Sequence, residues 1–164
     1  RVVIEFAFNR VCSALGIGPR VVNRSYGLVC FEDAVQFQME RCASYSKCKL
    51  DEARIARRLK YCLKLMHSFG LIHKDIKPQN IAYSKTTKNL VLIDFGMSKV
   101  VLEQLGSKSL TCREGTPNYM SPDMHELTGK GMVDLYYNDL WALKTSIKNM
   151  SQANWSVPHL PKME

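Results

Sequence analysis

Apolar residues at helical spacing run from Ile55 through Leu59, Cys62, Leu63 and Met66 to Phe69, and stop at Gly70. A polar loop follows at once, His73-Lys74-Asp75-Ile76-Lys77-Pro78-Gln79-Asn80. A β-type run, Leu90-Val91-Leu92-Ile93, then ends in Asp94-Phe95-Gly96. This succession constrains the fold more than any other feature. A helix, a loop and a strand end must together hold two acids and a carboxamide in one place. Oxygen ligands so gathered suit metal–phosphate chemistry. Read alone, Asp75 and Asn80 could equally be a turn-capping pair, since both residue types favour turns.

The rest of the chain can be laid around that centre. Ile4, Phe8, Val11 and Leu15 recur at helical spacing, and Gly16 and then Gly18-Pro19 end the segment. Three short β-branched or aromatic runs follow, Arg20–Asn23, Gly27–Phe31 and Ala34–Met39, which read as strands of a small antiparallel sheet. Asp51 can cap the helix that reaches Phe69, with Gly70 just past its end. Ile81-Ala82-Tyr83 and Leu90–Ile93 read as two strands around a polar turn, Ser84 to Asn89. Residues 97–118 read as a long polar loop, a length that in a compact domain is usually functional. Leu135 to Met150 reads as a second helix with Leu140, Leu143, Ile147 and Met150 on one side. The class is therefore α+β. No element is assigned from Trp155 onward, and Trp155 and His159 receive no role.

Composition narrows the function. The chain has 164 residues, 46% hydrophobic and 23% charged, enough for one domain with a core. No apolar run is long enough for a membrane span. The net charge of +8 favours polyanionic partners. The basic residues are scattered, however, and no specific nucleic-acid partner is expected. Arg54, Arg57, Arg58 and Lys60 form a local group that reads as the solvated face of a helix. The six cysteines lack zinc-site spacing and read as free thiols of a reducing compartment, intracellular and either cytoplasmic or nuclear.

The motifs resemble those of eukaryotic-type serine/threonine protein kinases. His73 to Asn80 is similar to the catalytic loop, Asp94-Phe95-Gly96 to the metal-binding triplet, Gly115 to Asp123 to the end of the activation segment, and Asp139-Leu140-Trp141 to the buried helix after it. Four motifs in order are far more specific than any one. The resemblance implies a partial small lobe over residues 1–41, a helix with short antiparallel strands, and a shortened, mostly helical large lobe over 42–164. It implies ATP and Mg²⁺ as cofactors and a protein with Ser or Thr acceptors as substrate. Asp75 would accept or orient the hydroxyl proton, and Lys77 would neutralise phosphoryl charge. Asn80 and Asp94 would hold Mg²⁺. Met39 would be the gatekeeper, and the backbone of Glu40 and Cys42 would meet the adenine edge. Glu5 would be the glutamate of the regulatory helix. Phe95 and Gly96 would open the activation segment, Gly96 allowing the tight turn. Ser107, Ser109 and Thr111 would be its phosphosites, facing Lys74 where an arginine is usual. Thr116 and Lys77 resemble serine/threonine rather than tyrosine kinases. His73 is expected to pack near Phe95, and Asp139 to tie down the catalytic-loop backbone.

Some family features are not found. The Gly-rich phosphate loop and the lysine that would pair with Glu5 would lie before Arg1, and the later large-lobe helices would follow Glu164. Asp123 stands where a glutamate is usual, and Lys144 near where a glycine is common. The expected function is therefore protein phosphorylation on Ser or Thr. The alternative is a non-catalytic, pseudokinase-type scaffold that binds nucleotide or protein. A small-molecule kinase has little use for the platform around Ser121-Pro122-Asp123.

Overall fold

Helix α2 (Glu52–Ser68) is the centre of the packing, and its sequence explains why. Asp51 caps it by accepting a hydrogen bond from the Arg54 amide at 2.8 Å. Ile55, Leu59, Cys62, Leu63 and Met66 form its buried stripe, which His67 joins. Phe69, expected on that stripe, lies beyond the last helical turn and is exposed. The computed structural model describes residues 2–22, 28–30, 35–48, 51–101 and 108–155.

Helix α1 (Val2–Ala14) forms as expected, but rotated from the expected face. Phe8, Asn9 and Cys12 are buried, whereas Ile4 is 57% exposed and Val11 is also exposed. The helix turns inward wherever its Phe8 ring can reach Phe95, with which it stacks at 6.5 Å between centroids. The turn after α1 docks on the rest of the chain by main-chain bonds, Leu92 N–H donating to Ile17 O at 2.8 Å.

Of the three expected strands near the N-terminus, two are present. β1 (Leu28–Cys30) pairs antiparallel with β2 (Val35–Phe37). The first, around Val21, reduces to a single bridge to Met39. β3 (Ala43–Ser44) joins a different sheet. Further on come β4 (Leu71–Ile72), β5 (Ile81–Ser84), β6 (Asn89–Leu92) and β7 (Lys99–Val100). β3, β5 and β6 form one antiparallel sheet, and β4 pairs with β7. The polar turn joining β5 and β6 falls where the sequence places it.

The stretch 97–118 is more structured than a loop. It contains β7 and also β8 (Lys108–Cys112), which pairs with β9 (Lys130–Asp134) in an antiparallel ribbon. A short helix, α3 (Pro122–His125), is capped by Ser121 and lies between the ribbon strands in sequence. Helix α4 (Leu135–Trp155) packs against α2. Its buried side carries Ala142, Leu143, Ser146 and Met150, while Leu140 is exposed.

Two apolar clusters result. The larger joins α1, α2, β6 and α4 around Leu59, Leu63, Met66 and Phe95. The smaller holds Ile72, Val101, Met124, Val133 and Tyr136 beneath the β8–β9 ribbon. Arg58 links the N-terminal turn to this frame and is not a solvated cation. Its guanidinium donates to Leu90 O at 2.9 Å and to Gly16 O at 2.6 Å. Among the described residues Cys12, Cys42, Cys48, Cys62 and Cys112 are free thiols, and no helix is long and apolar enough to cross a membrane.

Candidate active site

The loop between β4 and β5 is held from below. Asp139, fully buried on α4, accepts from the His73 amide through Oδ2 and from the Lys74 amide through Oδ1, both at 2.8 Å. The same Oδ2 lies 3.1 Å from His67 Nε2 on α2. A carboxylate can only accept, so that ring nitrogen donates. Three donors on one acid fix the loop as it turns through Lys74, whose φ of 70° is left-handed.

His73 is a structural member of this arrangement. Its Nε2 is 3.1 Å from Ile93 O and its Nδ1 accepts from the Asp75 amide at 3.3 Å. A carbonyl and an N–H as partners define the neutral Nε2-protonated tautomer. Burial pushes the imidazole below its ordinary value, against the opposing pull of Asp139. The ring lies 5.2 Å from that of Phe95, which is 1% exposed.

Above the loop, three side chains converge. Lys77 Nζ donates to Asp75 Oδ2 at 2.7 Å and to Thr116 Oγ1 at 2.8 Å. The Thr116 hydroxyl donates in turn to Asp75 Oδ1 at 2.7 Å. Asn80 Nδ2 donates to Asp75 O at 2.8 Å and to Asp75 Oδ2 at 3.1 Å. Burial pushes the Asp75 carboxyl up, but the Lys77 and Thr116 hydrogen bonds and the Lys77 charge outweigh it and hold it below the ordinary carboxylate value. Asp75 is thus an anion with both carboxylate oxygens engaged by donors.

Beside this cluster is a cavity of about 730 Å³. Glu5, Met39, Glu40, Cys42 and Asp94 all line it, as do Pro78 and Gln79 of the loop. The five residues expected at a nucleotide site therefore surround one space, although they come from α1, the segment after β2, and the end of β6. Burial and the Glu40 charge push the Cys42 thiol up to about 11, so it is neutral. Asp94 is exposed, with φ of 62°, and accepts from the Gly96 amide at 3.4 Å. The left-handed conformation in this turn lies at Asp94.

The donor set fits Mg²⁺. Asn80 is anchored through its nitrogen to Asp75, which turns its amide oxygen away, and Asp94 offers an exposed carboxylate. Both are hard oxygen ligands of the kind Mg²⁺ takes while keeping several waters. Among the described residues no group of three His, Cys, Asp or Glu forms an all-protein metal cage.

The expected phosphosites have distinct placements. Ser109 and Thr111 lie in β8 and are 4% and 8% exposed, so a modifying enzyme reaches them only if the ribbon opens. Ser107 lies outside the described residues. Lys74 Nζ donates to Thr111 Oγ1 at 3.3 Å and forms an ion pair with Glu114. That partner was not anticipated. The available signal was that Glu114 is the sole acid between residues 104 and 122. The Thr116 bridge and the His67–Asp139 contact were also not anticipated, because each joins residues far apart in sequence.

Comparison with known proteins gives a concordant result. The family described as the protein kinase domain matches residues 22–158. The calcium/calmodulin-dependent protein kinase cmkB of Emericella nidulans is 32% identical over 105 residues, 62% of this chain and 24% of that protein. The serine/threonine-protein kinase RUNKEL of Arabidopsis thaliana is 37% identical over 99 residues, 58% of this chain and 7% of that protein. The serine/threonine-protein kinase Sgk1 of Rattus norvegicus is 36% identical over 87 residues, 53% of this chain and 19% of that protein. The match thus spans at most about a quarter of the length of these three relatives. Among solved structures, the Cydia pomonella granulovirus kinase PK-1 superposes with a TM-score of 0.64 at 22% identity, over 90% of this chain and 54% of that one.

Proposed function

Since this chain belongs to the protein kinase domain family, we propose that the protein of which it forms the catalytic region transfers the γ-phosphate of ATP to serine or threonine hydroxyls of protein substrates. One observation carries the reading. Asp75, Lys77 and Thr116 meet within 2.8 Å of one another, on a loop whose next residues line the cavity ringed by Glu5, Met39, Glu40, Cys42 and Asp94.

The chemistry asks little of covalent catalysis and much of position. ATP takes the cavity, its base edge against the backbone of Glu40 and Cys42 beside Met39. Asn80 and Asp94 would hold Mg²⁺, which would supply positive charge to neutralise the phosphates. The substrate hydroxyl displaces the Thr116 contact at Asp75. Its oxygen forms the new bond to the γ-phosphorus while the bond from that phosphorus to the β–γ bridging oxygen breaks. ADP leaves with that electron pair, and the hydroxyl proton passes to Asp75. The depressed Asp75 pKa makes it a weak base, which suits a loose transition state in which the proton moves late. Lys77, already in place, offsets charge on the transferring group. Thr116, close to Lys77, narrows the space for the acceptor and favours a short Ser or Thr side chain over tyrosine. The free thiols fit a reducing compartment, cytoplasmic or nuclear.

The test is transfer of labelled phosphate from Mg–ATP to a mixture of Ser-, Thr- and Tyr-containing peptides by the full-length protein. Asp75→Asn is expected to lower the rate about a hundredfold or more. Equal rates for wild type and Asp75→Asn would refute the assignment. A wild type that binds nucleotide without any transfer would establish the scaffold reading in its place.

A further inference from the structure

The side chain of Glu40 makes contacts that its backbone role at the cavity does not require. Oε2 accepts from the Arg20 amide at 3.0 Å. Oε1 accepts from the Ser84 hydroxyl at 2.7 Å and from the Thr86 amide at 3.2 Å. Arg20 closes the turn that leaves α1, and its carbonyl accepts from the Glu40 amide at 2.7 Å. Ser84 ends β5 and Thr86 lies in the turn between β5 and β6, and the fully buried Ser84 hydroxyl also accepts from the Thr87 amide at 3.1 Å. One carboxylate therefore joins three segments: the exit of α1, the strip 39–42 that lines the cavity, and the turn after β5, the strand that lines the same cavity with Ile81 and Ala82.

We propose that Glu40 is a positioning residue, whose carboxylate sets the pitch of the 39–42 backbone against the β5–β6 turn and so holds the two sides of the cavity at the separation a purine base needs. The proposal rests on the nucleotide reading given above. Its chemistry is specific to a carboxylate. Three donors face two acceptor oxygens, and glutamate supplies acceptors only. A glutamine would put its own N–H₂ against the Arg20 amide or against the Ser84–Thr86 pair, whichever way it flipped. An aspartate is one methylene too short to reach both sides. The hydrogen bonds from Arg20, Ser84 and Thr86 outweigh the upward push of burial and keep the carboxyl below its ordinary value, as expected when all partners are donors. A carboxylate serving solubility alone would carry no such set.

The test uses the full-length protein with Glu40→Gln and Ser84→Ala, the second leaving the strip 39–42 unaltered. Amide hydrogen exchange is read at Arg20 and Thr86 without nucleotide, and KM for ATP and kcat are read separately. Glu40→Gln is expected to speed exchange at one or both amides and to raise KM about five- to thirty-fold, the ratio for about 1–2 kcal/mol, with most of the loss in KM rather than kcat. Ser84→Ala is expected to do the same more weakly. Unchanged exchange at both amides in Glu40→Gln would overturn the proposal whatever the protein's activity. Faster exchange with an unchanged KM would also overturn it, leaving Glu40 a local turn cap. A wild type that binds no nucleotide would refute the functional reading separately, before either variant is compared.

Discussion

Asp139 offers the sharpest test of how the site is built. The acid is completely buried and takes hydrogen bonds from the His73 and Lys74 amides and from His67. Asp139→Ala leaves two buried backbone N–H groups without an acceptor. At about 1–3 kcal/mol for each, the loss is about 2–6 kcal/mol. The left-handed Lys74, whose conformation costs about 1–2 kcal/mol, is held by these bonds, so any relaxation of it in the variant offsets part of the loss. Asp139→Asn keeps one acceptor and turns an N–H₂ toward the other donor, so its cost should be about half. For a chain of this size each kcal/mol moves the midpoint by about 2–4 °C, which places the alanine variant about 8–16 °C below wild type at ~4 kcal/mol. Urea unfolding followed by tryptophan fluorescence, with thermal unfolding beside it, measures both. An alanine variant within about 1 kcal/mol of wild type, or one less harmed than the asparagine variant, would refute the reasoning.

Three further outcomes follow from other contacts. Lys77→Met removes the main group that depresses the Asp75 carboxyl. A depressed folded-state pKa adds stability that is fully present above the ordinary value of 3.8 and is lost as pH falls from there through the folded value, so wild type should lose stability across that window while the variant, which lacks the contribution at higher pH too, should show a flatter response; urea midpoints taken down a pH series read the difference. Gly70 and Gly16 both have φ of 68°, but a Cβ on Gly70 would lie 2.5 Å from Val101 O while one on Gly16 meets nothing within 4 Å. Gly16→Ala should cost about 1 kcal/mol and Gly70→Ala clearly more, by urea unfolding, since only the second must also displace main chain. Arg58→Met should cost about 1–3 kcal/mol through its two lost carbonyl partners, and Arg57→Met, on the exposed side of the same helix, less than about 0.5 kcal/mol.

What could be read from the sequence was what depends on neighbours along the chain. The α2 stripe is periodic and capped, so its burial was legible from Ile55 to Met66. The two strands around Ser84–Asn89 were legible from their β-type runs. Arg58 was not, because a charged residue in a helical cluster looks the same whether its head is in water or on two carbonyls of other segments. The face of α1 was misjudged for a related reason. Its inward side includes Asn9 and borders Glu5, polar residues that a count of apolar positions assigns to solvent. Strand β8 reads as loop in sequence because its buried face carries the hydroxyls of Ser109 and Thr111 and its exposed face carries Leu110, and because its pairing partner lies beyond α3. At the site, single residues such as Asp75 and Asn80 were legible through a motif. The tie from Asp139 to the loop backbone was legible in the same way, whereas the bonds from Thr116 to Asp75 and from Glu114 to Lys74 span many residues and leave no local pattern.

The β8–β9 ribbon also settles a question of polymer statistics. By pairing Cys112 with Lys130 it fastens both feet of residues 113–129 into one ladder, so the entropy of bringing those ends together is met at the stem and not at Thr116. The cost of such closure grows only with the logarithm of contour length, about 0.6 kcal/mol for each doubling. The segment between the feet is accordingly open to lengthening: an insert near residue 128, on the far limb from Thr116, should leave the Thr116–Asp75 contact in place. Shortening is another matter, because Thr116 is tethered to Asp75 at 2.7 Å and the near limb has little slack to give.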